Sequence, residues 1–568
     1  MRRASPFLLI LLLAACTTPA APGATSPSSA AAPAAVPAAK VLTVALQTEP
    51  RAFDSNLFGV LSGEGGVTNV QYLVNDALWV QAEVEDYRPQ LAVALPSIEA
   101  GTWKINPDGT MDTTWKLRPN VRWHDGAPFT ADDLVFTFGV YTNPDFPTRT
   151  EGRPLMESVS APDPLTFVVH WKTTFVNAYR EPPGDDVLPR HLLGDLYKTD
   201  TQAFVNSTYF HADYVGLGPY KLTQWVQGSH LELARFDDYY QGRPKLDTIY
   251  VRFVTDPSTA VANILAGAVD VVLPPAVDLD TALDVQQRWA GTGNQVHADL
   301  DGKFTLLDPQ VRPEFAQPRD GFTNTVVRQA FYHAIDRATV TEVITHGLSP
   351  VADSYFAPHE PLRAQVESFI PQFPYDPTRA QQLLAQAGWV KGPDGALVNQ
   401  TTGERFSTEV RGPQGGGNEK LLSLVADGWK QVGATADIVV VPSARLGDRE
   451  YASTRPGFNV TNPSGPPFYE RNRLHSSQVT SAANRFTGIN SGGYANPRVD
   501  EILNQLRMTI DPRQRLPLQQ QLVQLQIGEL GVMPLFWEVY PLLMIKGVSG
   551  PKLVLNAATQ NIYDWDRT

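Results

Sequence analysis

Residues 108–136 read DGTMDTTWKLRPNVRWHDGAPFTADDLVF, and they pass from strand to turn to helix without a gap. From Asp112 to Leu117 apolar and polar residues alternate, the period of a half-buried strand. Asn120-Val-Arg-Trp-His-Asp-Gly126 then packs turn formers together, and Gly126 suits a positive φ. Asp132 to Tyr141, DDLVFTFGVY, predicts a helix with Thr130 as its N-cap. His124 lies within the turn, where a hydrogen-bonded turn residue is expected and not a metal ligand.

The same alternation of strand and helix extends on both sides. Lys40 to Leu46 is a short strand signal, and Leu222 to Phe236 reads as two strands around Gln227-Gly228. Gly216 and Gly218 permit a tight backbone just before them. Lys245 to Val254 predicts a further strand. Asp256 caps a helix over Thr259 to Leu265 that stops at Gly267, and Val269 to Leu273 follows as a strand, which makes an α/β unit. In the second half, Asn324 to Gly347 reads as one long amphipathic helix. Val327, Phe331, Ala334, Ile335, Val340, Val343 and Ile344 form its apolar stripe, and Gly347 is its left-handed C-cap. Tyr375 to Trp389 is another: Asp376 caps, Pro377 takes the first position, and Ala380, Leu383, Leu384 and Ala387 face inward before Gly388. Asn496-Pro497 and Asp511-Pro512 open two more. Arg328, Asp336 and Arg337 are expected in surface ion pairs.

The N-terminus carries a different signal. Arg2 and Arg3 precede the apolar run Phe7 to Leu13, which ends in Leu13-Ala14-Ala15-Cys16. That is the pattern of a secretory signal over residues 1–15, and the run falls short of the ~20 residues a membrane span needs. Leu13 to Cys16 resembles the lipobox of bacterial lipoproteins, which implies lipidation at Cys16, the only cysteine of the 568 residues. Residues 16–39 are rich in Ala, Pro, Ser and Thr and lack charge, so a disordered tether reaching roughly 25–30 Å is expected. The most apolar later stretch, Val532 to Ile545, carries Glu538 and two prolines and does not read as a span.

From Lys40 onward roughly 530 residues remain, more than one core requires, so two or three lobes are expected. A net charge of −13 excludes a nucleic-acid-binding surface of the usual basic kind. No Gly-x-Ser-x-Gly elbow, no His-Glu-x-x-His and no paired Cys/His set is present. Gly415-Gly-Gly-Asn-Glu-Lys420 lacks the spacing of a phosphate loop. The expectation is therefore no catalytic residue, no cofactor and no metal. A secreted multi-lobed hydrolase would need an activated nucleophile that no motif supplies. A binding protein used for sensing is not distinguishable from one used for transport.

Five stretches, in order, resemble the extracellular solute-binding proteins of family 5, the dipeptide/oligopeptide/nickel-binding group. They are Tyr87-Arg-Pro-Gln-Leu-Ala-Val-Ala-Leu, the opening stretch, Gly216-Leu-Gly-Pro-Tyr220 with Leu233 to Tyr240, Val327-Arg-Gln-Ala-Phe-Tyr-His-Ala-Ile-Asp-Arg337, and Tyr375 to Trp389. Trp123 stands where the family usually has Phe. The resemblance implies an α/β periplasmic-binding-protein-like fold (type II, cluster C) with two main lobes, an extra inserted domain and a hinge. Lobe I would comprise 40–72, 210–300 and 530–568, lobe II 73–209, and lobe III 301–529. It implies an exported lipoprotein, monomeric and held at the membrane by its anchor. The protein would capture a small solute between lobes I and III and deliver it to an ABC permease. The solute would be peptide-like, with a sugar or a nickel complex as alternatives. Peptide-binding members place an acid after a strand in lobe III. The corresponding segment, Phe458 to Glu470, lacks that Asp and its Trp. Candidate ligand contacts are Glu49, Asn69, Tyr72, Tyr355, Asn462, Ser464, Glu470 and Arg473.

Overall fold

Among the described residues of the computed structural model, which are 39–58, 67–83, 86–146, 152–181, 187–319, 321–415, 417–463, 473–553 and 557–568, ten strands build one mixed sheet. In chain order they are β1 (Val41–Leu46), β2 (Tyr220–Val226), β3 (His230–Arg235), β4 (Thr248–Phe253), β5 (Val271–Val272), β6 (Gln295–Pro309), β7 (Ser407–Pro413), β8 (Thr435–Val441), β9 (Phe458–Thr461) and β10 (Met533–Met544). Across the sheet the order is β8-β7-β9-β6-β10-β5-β1-β4-β3-β2. β1 runs parallel to β4 and β5, and β7 runs parallel to β8 and β9.

The sheet contributes to three hydrophobic cores. One runs from Phe304 to Trp537 and includes Phe331, Phe406, Trp429 and Phe458. A second draws on Leu42, Val44, Leu231, Ile249 and Val251, with Leu542, Met544 and Trp565 returning from the C-terminal end, and a smaller third draws on Ala45, Val272 and Leu543, with Val296 packed against it. Among the described residues β6 and β10 run from the first core to the other two. They pair antiparallel from Gln295 opposite Met544 to Leu307 opposite Met533, and the register breaks between Leu300 and Phe304. Gly302 lies inside that break at φ +85°. A bulge there interrupts the ladder and bends the strand.

A fourth core is packed on an antiparallel sheet of Trp103–Ile105, Met111–Lys116, Thr166–Trp171 and Met156–Asp163. Trp115, Trp123 and Trp171 are fully buried in it. Met111–Lys116 alternates inward and outward as its sequence predicts. The helix Ala131–Tyr141 closes its N-terminus with a capping box between Thr130 and Asp133. This body joins the second core through two glycines. A Cβ at Gly216 would meet the Val74 carbonyl oxygen at 2.0 Å, and one at Gly218 would meet the Asn75 nitrogen at 2.4 Å. His124 bridges them: Nδ1 accepts from the Gly216 N–H at 3.1 Å and Nε2 pairs with the Gly218 carbonyl at 3.0 Å. Burial pulls its pKa down to about 4, so the neutral ring is the structural species.

Other expected elements form where the local chemistry requires them. Gly228 turns the β2–β3 hairpin at φ +71°, and Asp256 caps Pro257–Leu265 by accepting from the Thr259 N–H. Asp376 caps Pro377–Gln386, with Ala380, Leu383 and Leu384 buried. Two expectations are corrected. The stretch from Asn324 to Gly347 is two helices, Thr325–His333 and Arg337–Thr345. Asp336 takes the Thr339 N–H and starts the second helix, so the turn before it cannot continue. Val343 consequently leaves the stripe and is exposed, and His346 precedes Gly347 in the left-handed region. Nor do Arg328 and Arg337 lie on the surface. Both are buried and donate mainly to carbonyl oxygens: Arg328 to Phe322, Thr323 and Glu529, Arg337 to Ala352 and Phe373. A guanidinium with five donors can satisfy several strand and helix ends at once.

Candidate functional site

The stretch of β6 and β10 beside Phe304 and Trp537 carries a polar row. The Asn462 side chain, just past the end of β9, donates to Thr305 Oγ1 on β6 at 2.7 Å. The Thr305 hydroxyl donates to Glu538 Oε1 on β10, and the Asn462 amide donates to that same oxygen. Side chains directly or diagonally opposite on one face of a sheet are within reach of one another, which is why three strands deliver one polar line. Burial raises the Glu538 pKa, opposed by the two hydrogen bonds and by nearby Lys303. The Lys303 ammonium lies 5.6 Å from the Tyr540 ring centroid.

Further along β6, Asp308 gathers a basic layer. Arg455, fully buried, pairs with Asp308 at 3.0 Å, and the Ser491 hydroxyl donates to the same carboxylate oxygen at 2.8 Å. Arg473 donates to Thr461 Oγ1 at 3.2 Å and lies 3.9 Å from Asp308. Burial holds both guanidinium pKa values below their usual range.

Of the residues expected from sequence to contact a ligand, the structure brings Asn462 into the row and Arg473 beside it. Glu49 is elsewhere. Its two oxygens accept from the Trp225 indole at 2.6 Å and the Gly228 N–H at 2.9 Å, which pins the β2–β3 hairpin tip. Asn69 is fully buried and accepts from the Ala558 N–H at 2.7 Å, tying the helix Val67–Val74 to the C-terminal segment. Tyr72 accepts from Gln560 at 3.4 Å on that same seam. Tyr355 is fully buried in the second-half core against Phe356 and presents no surface in this conformation. Cys16, Ser464 and Glu470 lie outside the described residues. Sequence reasoning passed over Thr305, Lys303 and Glu538. The signal for Glu538 was present as the single carboxylate inside the apolar run Val532 to Ile545.

Across the gap between the bodies two further contacts form. Asp280, on the helix Leu279–Arg288 of the β1-side body, holds His346 Nε2 at 2.5 Å and Lys420 Nζ at 2.5 Å, both from the second-half body. The Val176 N–H of the inserted body donates to the Arg507 carbonyl at 2.8 Å, where Asn177, Leu503 and Leu506 also meet. Among the described residues no helix is long and apolar enough to cross a membrane.

Comparison with known proteins agrees with this architecture. Residues 94–478 match the model of the bacterial extracellular solute-binding proteins, family 5 Middle. The oligopeptide-binding protein AppA of Bacillus subtilis is 25% identical over 484 residues, covering 83% of this chain and 81% of that one. NikZ of Campylobacter jejuni, solved with Ni(L-His), superposes with a TM-score of 0.75 at 22% identity over 93% of this chain and 99% of its own. AppA solved with a nonapeptide gives a TM-score of 0.72 at 23% identity, over 93% and 99%. These likenesses establish a two-lobed, type II periplasmic-binding-protein fold with a solute-binding role, and the chain belongs to the family 5 bacterial extracellular solute-binding proteins.

Proposed function

We propose that the protein captures a peptide-like solute between two closing lobes and presents it to an ABC permease, transforming nothing. Lobe I comprises 40–72, 210–300 and 530–568, lobe II 73–209, and lobe III 301–529. The chain is exported, cut before Cys16, lipidated there, and works as a monomer held to the membrane by its 16–39 tether. The single observation that carries the reading is the crossing. The second-half core is linked to the cores on β1 through β6 and β10, and the polar row Asn462–Thr305–Glu538 lies on those strands beside Phe304 and Trp537. Two strands with a broken register act as a hinge, the contacts of Asp280 form when the lobes are shut, and a guest touching both lobes stabilises that state.

A thermal-shift screen of dipeptides, oligopeptides, oligosaccharides and Ni²⁺ chelates tests this. A guest at ~100 Kd adds ~2.7 kcal/mol to stability. The peptide arm is expected to raise the melting temperature while the others do not. Flat melting curves in every arm would sink the capture reading, and a shift confined to sugars or chelates would replace the ligand class. Incorporation of a labelled fatty acid that disappears in Cys16→Ser checks the anchor.

A further inference from the structure

We infer that the inserted lobe II is a clasp of the closed state. Its turn at Val176 docks on the helix corner Leu506–Ile510 of lobe III when the lobes shut, and this contact sets how long a guest stays. The inference rests on the capture reading above and adds the device that holds its closed form.

The corner on lobe III is braced from within that lobe. The helix Pro497–Met508 ends there, and Asp511 starts the helix Pro512–Gly528. A helix end leaves its last carbonyls without intrahelical donors. The Gln505 carbonyl takes the Thr509 N–H at 2.9 Å and the Thr509 hydroxyl at 2.7 Å. The Leu506 carbonyl takes Arg515 at 2.6 Å, and the same buried guanidinium donates to the Thr509 carbonyl at 3.0 Å. Of these carbonyls and that of Arg507, only the Arg507 oxygen is answered from another lobe, by the Val176 N–H at 2.8 Å.

The turn on lobe II is equally prepared. Phe175 and Ala178 are fully buried in the tryptophan-rich core, and the Arg180 N–H donates to the Asn177 carbonyl at 3.0 Å. Ile510 belongs to lobe III, yet its half-buried side chain packs against that lobe II core. The contact therefore combines a directional hydrogen bond with an apolar plug. A cavity of about 10 Å³ remains between the two surfaces, lined by Val176, Asn177, Leu503, Leu506, Arg507 and Arg515, so they meet without the dense packing of a permanent core.

The connections on either side make this contact one that parts. Lobe II is locked to lobe I at His124, Gly216 and Gly218, while lobe III joins lobe I through β6 and β10 with their broken register. A swing about those strands changes the separation of lobes II and III and carries the contact with it. On parting, the backbone hydrogen bond is exchanged for water and one isoleucine is uncovered, a cost small enough to be reversible. The Asp280 contact on the other flank is made of exposed charges that salt screens. The clasp is not.

The test is release kinetics of the full chain loaded with an untreated chymotryptic casein digest. Ile510→Ser is expected to speed release by about tenfold at low and high salt alike, with an unchanged ligand-free melting temperature. A lowered ligand-free melting temperature with unchanged release overturns the proposal, because the contact is then part of the fold. A second variant guards against a fold defect: Val176→Cys with Arg507→Cys, in a chain with Cys16→Ser, joined by a short bismaleimide. Linked after loading, it is expected to hold its peptides at least tenfold longer than the unlinked protein. Linked while empty, it is expected to refuse them. Exchange at the unlinked rate with the linker in place overturns the proposal and leaves solute capture standing, since lobes I and III then part while II and III stay together. No peptide bound by wild-type protein defeats the capture reading and the clasp with it.

Discussion

The core built on β1 is joined to its two neighbours in opposite ways. The inserted tryptophan-rich body is fixed to it at a joint in which the buried polar groups described above are answered. His124 uses both ring nitrogens, Gly216 and Gly218 lie against the Val74–Asn75 backbone, and Asp76 accepts from the Tyr239 hydroxyl at 2.7 Å. The second-half body is joined by two strands with a register break and by a few exposed charges. On the capture proposal, satisfied buried polarity marks the seam that stays fixed, and a broken strand register marks the one that moves.

The predictions test that difference from both sides. The largest effect belongs to the fixed joint. Gly216→Ala places a methyl against a carbonyl that has no room to withdraw, and a loss beyond about 3 kcal/mol, or failure to fold, is expected in urea titration. Gly302→Ala, at φ +85° in the register break, costs about 1 kcal/mol through the strained backbone. Comparable losses at the two glycines would erase the contrast.

The next effect is a pH dependence. Burial raises the Asp76 pKa to about 7, so the folded state holds a proton that the unfolded chain releases near 3.8. Its contribution is full below that lower value and is lost as pH rises through 7. His124 has the opposite sign. Its folded pKa of about 4 lies below 6.5, so its contribution is present above 6.5 and is lost as pH falls towards 4. Between pH 4 and 7 the two groups largely offset each other. Asp76→Asn is expected to unmask the histidine, so that the melting temperature falls more steeply than wild type on acidification from pH 7 to 5. A parallel pair of curves would show that the joint does not hold these protonation states.

The smallest effect is at the rim of the hinge. Asp280 bridges His346 and Lys420 across the gap, but all three are substantially exposed, and such pairs contribute about 0.2–1 kcal/mol. Asp280→Ala is expected to speed release of a bound peptide by up to about fivefold in stopped-flow measurements, with no change in melting temperature without ligand. A lowered ligand-free melting temperature with unchanged release would make the contact part of the fold and not of closure.

What the sequence made legible follows the range of each interaction. The capping box at Thr130–Asp133, the Asp376-Pro377 helix start and the Gly228 turn are settled within a few residues, and all are readable by eye. The break at Asp336 was hidden because the apolar stripe continues through it while a single side chain redirects the backbone. Glu538 was visible as an oddity in an apolar run, but its partners Thr305 and Asn462 lie 233 and 76 residues away in the chain. Only the order of strands in the sheet brings them together. Tyr355 and Asn69 were chosen from their place in the chain, and place in the chain does not reveal that both side chains are fully buried.

The account depends on movement about β6 and β10, and a distance across that gap measures it. Spin labels at Arg288→Cys and Asp427→Cys, in a chain with Cys16→Ser so that no other thiol remains, report on the helices that carry Asp280 and Lys420. Double electron–electron resonance is expected to give a broad distribution without peptide and a single shorter distance with the untreated casein digest. One distribution, unchanged by any peptide pool that the protein binds, would contradict it.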